Sequence, residues 1–254
     1  MASPQSPPPL WASLRAAGAA VADVLLPPVC QVCGQSASSA GARVLCGECS
    51  SGWQALVAAC QRCGAPESEL SEPGAQLCTR CTEKTPPFTL ARSAFAYADS
   101  LEKAIHAVKY QKAEAVGRFL GQKLAERVCL LPSEVPYARV IPVPLHWRRR
   151  FWRGYNQAEL LAAPVGQVLQ VPLEVRLGRE ASFSNQARLG RQERAEAIAG
   201  AFSIPAPVAQ SLQGLTCLVV DDVYTTGATV GAFVEALLLA GARRVDVLTL
   251  ARAV

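Results

Sequence analysis

Hydrophobic and polar positions change their spacing along this chain. Over residues 10–26, Trp11, Leu14, Val21, Val24 and Leu25 recur at helical intervals and predict a short helix whose apolar face suits packing on a neighbouring domain. Arg15 and Asp23 interrupt that stretch, so no membrane insertion is expected. From Phe88 onward the pattern alternates. Residues 101–108 and 115–128 read as helices, the second with Val116, Phe119, Leu120 and Leu124 at helical spacing. Residues 140–144 read as a short buried strand, 157–170 as a helix, and 217–220 and 245–250 as apolar strands. Such alternation predicts an α/β fold, a parallel sheet wrapped by helices. The expected organisation is a helix within residues 1–27, a small unit over 28–85 and the α/β domain over 86–254.

The middle unit is where the cysteines gather. VCQVCGQ (residues 29–35) is repeated as ACQRCGA (59–65), and VLCGEC (44–49) as QLCTRC (76–81), a period of about 30 residues. Cys30, Cys33, Cys46 and Cys49 form one set with twelve residues between its knuckles; Cys60, Cys63, Cys78 and Cys81 form another with fourteen. A Cys-x-x-Cys turn lets two sulfurs reach one ion, and a hairpin of about a dozen residues brings a second turn opposite, so each set can hold one tetrahedral Zn²⁺. Cross-braced pairing of the first and third knuckles also fits the spacing, although the tandem repeat favours sequential pairing. The segment has too little apolar bulk for a core of its own, so the metal must supply its folding free energy and both Zn²⁺ sites read as structural. A redox reading needs one such motif opening a helix in a βαβ unit, and four in register fit it poorly. Cys129 and Cys217, in apolar surroundings, are expected as buried thiols.

At 254 residues, half of them apolar, the chain can fill one α/β-sized core plus a small appendage, and a disordered chain is excluded. The amino-terminal residues lack the positive start of a secretory signal, and with so many free thiols a reducing, cytoplasmic compartment is expected. Residues 1–85 carry five Lys or Arg against six Asp or Glu, whereas residues 86–254 carry twenty against fourteen. The basic half suits an anionic ligand, although solvated surface charge gives the same balance.

The densest chemistry lies in LVVDDVYTTGATV, residues 218–230. An apolar strand ends in Asp221 and Asp222, and Thr225, Thr226, Gly227, Ala228 and Thr229 then turn into a helix carrying Val230, Phe233, Val234 and Leu237. Parallel sheets bind ligands beyond the carboxyl ends of their strands. Exposed backbone N–H groups, a glycine, threonine hydroxyls and a helix N-terminus make a cradle for phosphate. Carboxylates beside it would repel phosphate unless they serve sugar hydroxyls or the water shell of Mg²⁺, so the joint pattern asks for a ribose phosphate. The plainer reading is that the two acids only cap the following turn. Neither GxxxxGK[ST] nor GxGxxG occurs to explain the segment otherwise.

VVDDVYTTGAT resembles the phosphoribosyl pyrophosphate (PRPP) signature of type I phosphoribosyltransferases. From LLPPVCQVCG through PVPLHWRRRFWRGYNQAELLA to VDVLTLAR the chain resembles the ComF family, which is associated with DNA uptake in naturally competent bacteria. The resemblance implies a type I phosphoribosyltransferase-like domain behind a double zinc ribbon, with Asp221 and Asp222 on the ribose hydroxyls and residues 225–229 on the 5′-phosphate. It places Pro144, in PVPLH, at the loop that meets pyrophosphate, and makes SNQARLGRQERAEAIAGAF the family's mobile segment, with Arg188, Arg191 and Arg194 available to the pyrophosphate. Ala197 departs from the asparagine expected there, and Tyr224 is a lesser variation. The implied reaction is Mg²⁺-dependent transfer of a 5-phosphoribosyl group from PRPP to a nitrogenous acceptor. The alternative is a non-catalytic PRPP sensor or scaffold that holds single-stranded DNA or a protein, with a competence helicase as an implied partner.

Arg148, Arg149, Arg150 and Arg153 stand among Trp147, Phe151, Trp152 and Tyr155 without an intervening acid. The cluster reads as a pyrophosphate clamp, as a single-strand nucleic-acid groove, or as solvated surface; RGYNQ favours a ligand-side role for Arg153. His146 reads as a hydrogen-bonding residue near a strand end, and the two histidines, His106 and His146, are too scattered for a nucleophilic site. Purified protein is expected to carry close to two zinc ions per chain. Metal analysis checks this, and iron with acid-labile sulfide would overturn it.

Overall fold

The structure, a computed structural model, describes residues 28–37, 44–179 and 201–253. The helix expected over residues 10–26 and the segment carrying Arg188, Arg191, Arg194 and Ala197 lie outside the described residues. The chain divides into two compact units, residues 1–52 and residues 53–254, so the first cysteine set belongs to one unit and the second to the unit that carries the sheet.

The repeat read in the sequence is a repeat of backbone devices. In the first unit the Gly34 N–H donates to the Cys30 carbonyl at 2.9 Å with φ +75°, and a one-turn helix, α1 (Gly47–Ser50), begins directly after Cys46. In the second unit the Gly64 N–H donates to the Cys60 carbonyl at 3.0 Å with φ +68°, and α2 (Thr79–Glu83) begins directly after Cys78. Gln31 donates to the Val44 carbonyl and Gln61 to that of Gln76, joining the two knuckles of each set.

The larger unit then runs through β1 (Leu90–Ala96), α3 (Asp99–Tyr110), α4 (Glu114–Ala125), β2 (Arg139–Pro142), α5 (Trp147–Arg153) and α6 (Gln157–Leu169). The short pair β3 (Gly178–Arg179) and β4 (Phe202–Ser203) is antiparallel. Helix α7 (Ala206–Leu212), β5 (Thr216–Tyr224), α8 (Ala228–Leu239) and β6 (Arg244–Arg252) complete it. The main sheet has the order β1-β6-β5-β2 with every pairing parallel, the α/β sheet the alternation predicted.

Strand alternation sends neighbouring side chains to opposite faces. Cys217, Val219, Val245 and Val247 pack in one cluster with Phe233, Val234 and Leu237 of α8, and Cys60, Cys63, Cys78 and Cys81 belong to that same core. On the other face Asp222 and Leu250 meet Ile105, Val108, Leu120 and Leu161 from α3, α4 and α6.

Three boundaries differ from the sequence reading. β5 does not end at Val220, because β6 keeps pairing alongside it as far as Tyr224↔Arg252, and both acids therefore sit inside the strand. β2 stops at Pro142, which matches Val220, so β5 outruns it. Cys217 is buried, but Cys129 is exposed, since α4 ends at Ala125 and Cys129 lies in a single 3-10 turn beyond it.

Helices α4 and α6 touch through glycines. A Cβ at Gly121 would run into the Leu160 backbone carbonyl and come 3.1 Å from Pro164, whereas one at Gly117 would meet side chains alone, the end of Leu160 at 2.6 Å and Val108 at 3.3 Å. Gly121→Ala is therefore expected to lower stability by about 1–3 kcal/mol through overpacking, and Gly117→Ala by less. Urea denaturation of both variants checks the order, and equal losses would contradict it.

Candidate functional site

Because β5 outruns β2, the carboxyl end of the sheet opens into a cavity of about 250 Å³. Its wall brings together most of the residues singled out in the sequence: Pro144, Arg153, Asp221, Asp222, Thr225, Gly227, Ala228 and Thr229. Thr226 is not in the wall; its Oγ1 instead accepts from the Ala228 N–H at 3.3 Å and holds the turn. Arg191 and Arg194 lie outside the described residues. The wall also contains Arg149, from the cluster for which a pyrophosphate clamp was one reading, and Lys109, Tyr110, Gln157 and Arg179, to which the sequence reading gave no place there.

The acid pair is buried, Asp221 being 9% and Asp222 7% exposed. Lys109, from α3, reaches Asp222 Oδ1 at 3.1 Å. Asp222 Oδ2 is buried without a hydrogen-bond partner. Burial, and then the neighbouring Asp222 carboxylate, push Asp221 up to about 7, although Lys109 and Arg179 pull the other way. Burial works against the Lys109 ammonium, yet Asp222 and Asp221 hold its pKa above the ordinary value. The pair is thus split: one carboxylate shares a salt bridge, and the other takes up a proton far more readily than an ordinary carboxylate. With Lys109, Arg149, Arg153 and Arg179 facing two acids, the cavity favours an anion.

The turn after β5 is set by Gly227, which caps α8 with φ +77°. A Cβ there would strike the Tyr224 hydroxyl and ring. The close approach that requires glycine therefore comes from the tyrosine packed against the turn. Tyr224 is itself buried, with its ring edge-on to Phe88 at 6.3 Å. Beyond Gly227 the first N–H groups of the twelve-residue α8 have no partner within the helix, and its N-terminus favours anions.

Helix α5 splits the arginine cluster by its faces. Arg153 is buried, hydrogen-bonds Gln157, and leaves its Nε without a partner. Arg149 lines the cavity, Arg150 pairs with Glu159, and Arg148 lies over the Trp147 ring at 5.7 Å. Trp147, Phe151 and Trp152 are exposed, Phe151 to 89%. His146 caps this helix, its Nδ1 accepting from the Arg148 N–H at 3.2 Å, and Tyr155 donates to the Val108 carbonyl at 2.6 Å.

Both cysteine sets fit zinc. Within each set the sulfurs lie within 4.8 Å of one another, which pairs the knuckles sequentially. Cys33 and Cys46 approach to 3.6 Å, and Cys63 and Cys78 to 3.5 Å, close to the roughly 3.8 Å that separates thiolates bound tetrahedrally at about 2.3 Å from Zn²⁺. Burial raises the Cys60 thiol, but the N–H groups of Cys63, Cys78 and Arg62 overcome it and bring its pKa down to about 6, a thiolate ready to ligate.

A family model described as double zinc ribbon domain matches residues 21–82. The DNA utilization protein YhgH of Salmonella typhimurium is 32% identical over 213 residues, 82% of this chain and 90% of that protein. Competence protein F of Haemophilus influenzae is 32% identical over 210 residues, 80% of this chain and 90% of that protein. Among solved structures, the glutamine PRPP amidotransferase from B. subtilis complexed with ADP and GMP is 18% identical, covering 57% of this chain and 30% of that chain at a TM-score of 0.41. No described helix is long and apolar enough to cross a membrane. With relatives above 30% identity that span four fifths of its length, the chain belongs to the ComF family, here a double zinc ribbon joined to a parallel α/β sheet.

Proposed function

We propose that this protein binds PRPP with Mg²⁺ and transfers its 5-phosphoribosyl group to a nitrogenous acceptor, in the service of DNA uptake. The observation that carries the reading is the pair of buried carboxylates in the wall of a cationic cavity, one strand-end away from an anion-favouring turn. A fold keeps a desolvated acid pair only against a cost in stability, and a ligand that needs both groups accounts for it.

Residues 225–229 would receive the 5′-phosphate through backbone N–H groups, and Asp222 Oδ2, which has no partner, would accept from a ribose hydroxyl. Arg149 and Arg153, with Arg191 and Arg194 joining them in this reading, would face the pyrophosphate. In the reaction the C1–O bond to pyrophosphate breaks, a C1–N bond forms, and the acceptor nitrogen gives up a proton. Positive groups around the leaving pyrophosphate and exclusion of water do most of the work.

The donor set fits Mg²⁺ that arrives on the ligand. Asp222 already gives one oxygen to Lys109, and burial beside Asp222 disfavours the charged form of Asp221, so the pair suits hydroxyls and metal-bound water better than direct chelation. When bound, Mg²⁺ neutralises charge on the pyrophosphate.

A second reading, single-stranded DNA binding without transfer, is favoured by one observation: Trp147, Phe151 and Trp152 are exposed on the helix that carries Arg148 and Arg149. Pyrophosphate release from PRPP with Mg²⁺ and a panel of nucleobases separates the two. Release supports transfer, binding without release supports the sensor or scaffold, and no binding of PRPP sinks both. Gly227→Val is expected to abolish binding of PRPP and ribose 5-phosphate in titration calorimetry while both zinc ions stay bound; Thr226→Ala, which keeps every backbone donor, is expected to be milder. A folded Gly227→Val protein with the parent's affinity would remove the phosphate from this turn.

Asp221 yields a test in pH. Its ordinary pKa of 3.8 rises to about 7 on folding, so between those values the folded chain binds more protons than the unfolded one. Stability therefore falls as pH rises through that window, and the cost is complete above it. Asp221→Asn is expected to melt higher than the parent at pH 8, to converge on it toward pH 4, and yet to bind PRPP more weakly. Melting curves and calorimetry across that range check it; a lower melting temperature at pH 8 would make Asp221 a structural residue.

A further inference from the structure

The second cysteine set does not stand apart from the turn at residues 225–229. Arg252, the last residue of β6, is only 1% exposed. Its Nη1 donates to the Cys63 carbonyl at 3.1 Å, and its Nη2 donates to Glu69 at 3.2 Å and approaches Cys63 Sγ at 3.9 Å. Its guanidinium lies 4.7 Å from the centre of the Tyr224 ring, the ring against which Gly227 packs. The same Glu69 carboxylate accepts from Arg80 at 3.1 Å, and Arg80 also donates to the Thr225 carbonyl at 3.3 Å. Two arginines anchored on one ribbon thus reach the turn at two points, through Tyr224 to Gly227 and directly at Thr225.

We propose that the second zinc ribbon is part of the ligand site, with Arg252 and Arg80 as positioning residues that carry the ribbon's geometry into the anion-binding turn. The proposal rests on the phosphate reading of that turn only for the ligand, and not for the coupling itself. An N–H aimed at a metal-bound thiolate is an outer-shell contact of the kind that orients ligands, and here it works in both directions. Four thiolates around one Zn²⁺ leave negative charge that the buried guanidinium offsets, while the set fixes the Cys63 carbonyl on which that guanidinium hangs. Loosening Cys63 frees Arg252, and Tyr224 and the positive-φ turn at Gly227 lose their support.

Hydrogen exchange at the amides of residues 225–229 and calorimetry with ribose 5-phosphate test this on the full chain. Arg80→Ala, at an exposed position, is expected to keep both zinc ions, speed exchange of the turn and weaken ribose 5-phosphate by about threefold to tenfold. Tyr224→Leu should act in the same sense, while Tyr224→Phe, which keeps the ring beside Arg252, should match the parent. Removing zinc from the parent with a chelator should speed exchange of the turn at least as much as Arg80→Ala. If chelation unfolds the chain, the zinc-loaded variants decide. Parent-like exchange of the turn in Arg80→Ala and Tyr224→Leu overturns the proposal. Faster exchange in a parent that does not bind ribose 5-phosphate keeps the coupling and overturns the phosphate reading instead.

Discussion

Two adjacent residues of a strand must point to opposite faces of its sheet, and in β5 both faces are core. That constraint separates Asp221 from Asp222 although they are neighbours in sequence. Asp222 turns toward α3, where Lys109 meets it; Asp221 turns the other way and keeps a proton where an ordinary carboxylate would have lost it. The surrounding architecture follows from having to house this pair. β6 continues beside β5 to Arg252 and supports the strand past the acids, while β2 stops early and leaves the space a ligand would need. A longer β2 would close the cavity, and a shorter β6 would leave the acids on a frayed end.

The turn that follows has to bend sharply without losing its footing. Gly227 makes the bend by its positive φ, and Tyr224 fills the volume against it, so the turn is shaped by packing as well as by local backbone preference. The second cysteine set belongs to the same core as α8, which leads away from that turn. What the sequence suggests is an appended ribbon therefore touches the sheet directly, through the contacts of Arg252 with Cys63 and Glu69.

The features legible in the sequence are those written in short, local codes. Cysteine spacing marked the four knuckles and the tandem repeat favoured sequential pairing, which only the sulfur positions decide, and the apolar run into DDVYTTGAT placed the turn at a strand end. The strand's extent was hidden because Asp221 and Asp222 look like terminators, and only their pairing with β6 shows otherwise. Lys109 was missed because a lysine at the end of a helix reads as solvated; yet it falls four residues after Ile105 and eight after Leu101, on the buried stripe of α3, and that position is the signal that could have found it. Arg252 offered no such signal. Its burial depends on Cys63 and Glu69, nearly two hundred residues earlier, and no periodicity reports a contact of that range.

The strand order carries a consequence for synthesis. β6 sits between β1 and β5, so the sheet cannot close until β6 has left the ribosome, and β1 waits unpaired on that side while residues 97–243 are made. The second ribbon is translated before β1 and can fold on its metal as soon as Cys81 emerges. Ala91 donates to the Arg62 carbonyl of that ribbon, and Ala96 to Gln54, so a metallated ribbon can shield the earliest strand of the nascent sheet. Zinc supply at the time of translation, and not only in the finished protein, would then govern how much of the chain escapes aggregation.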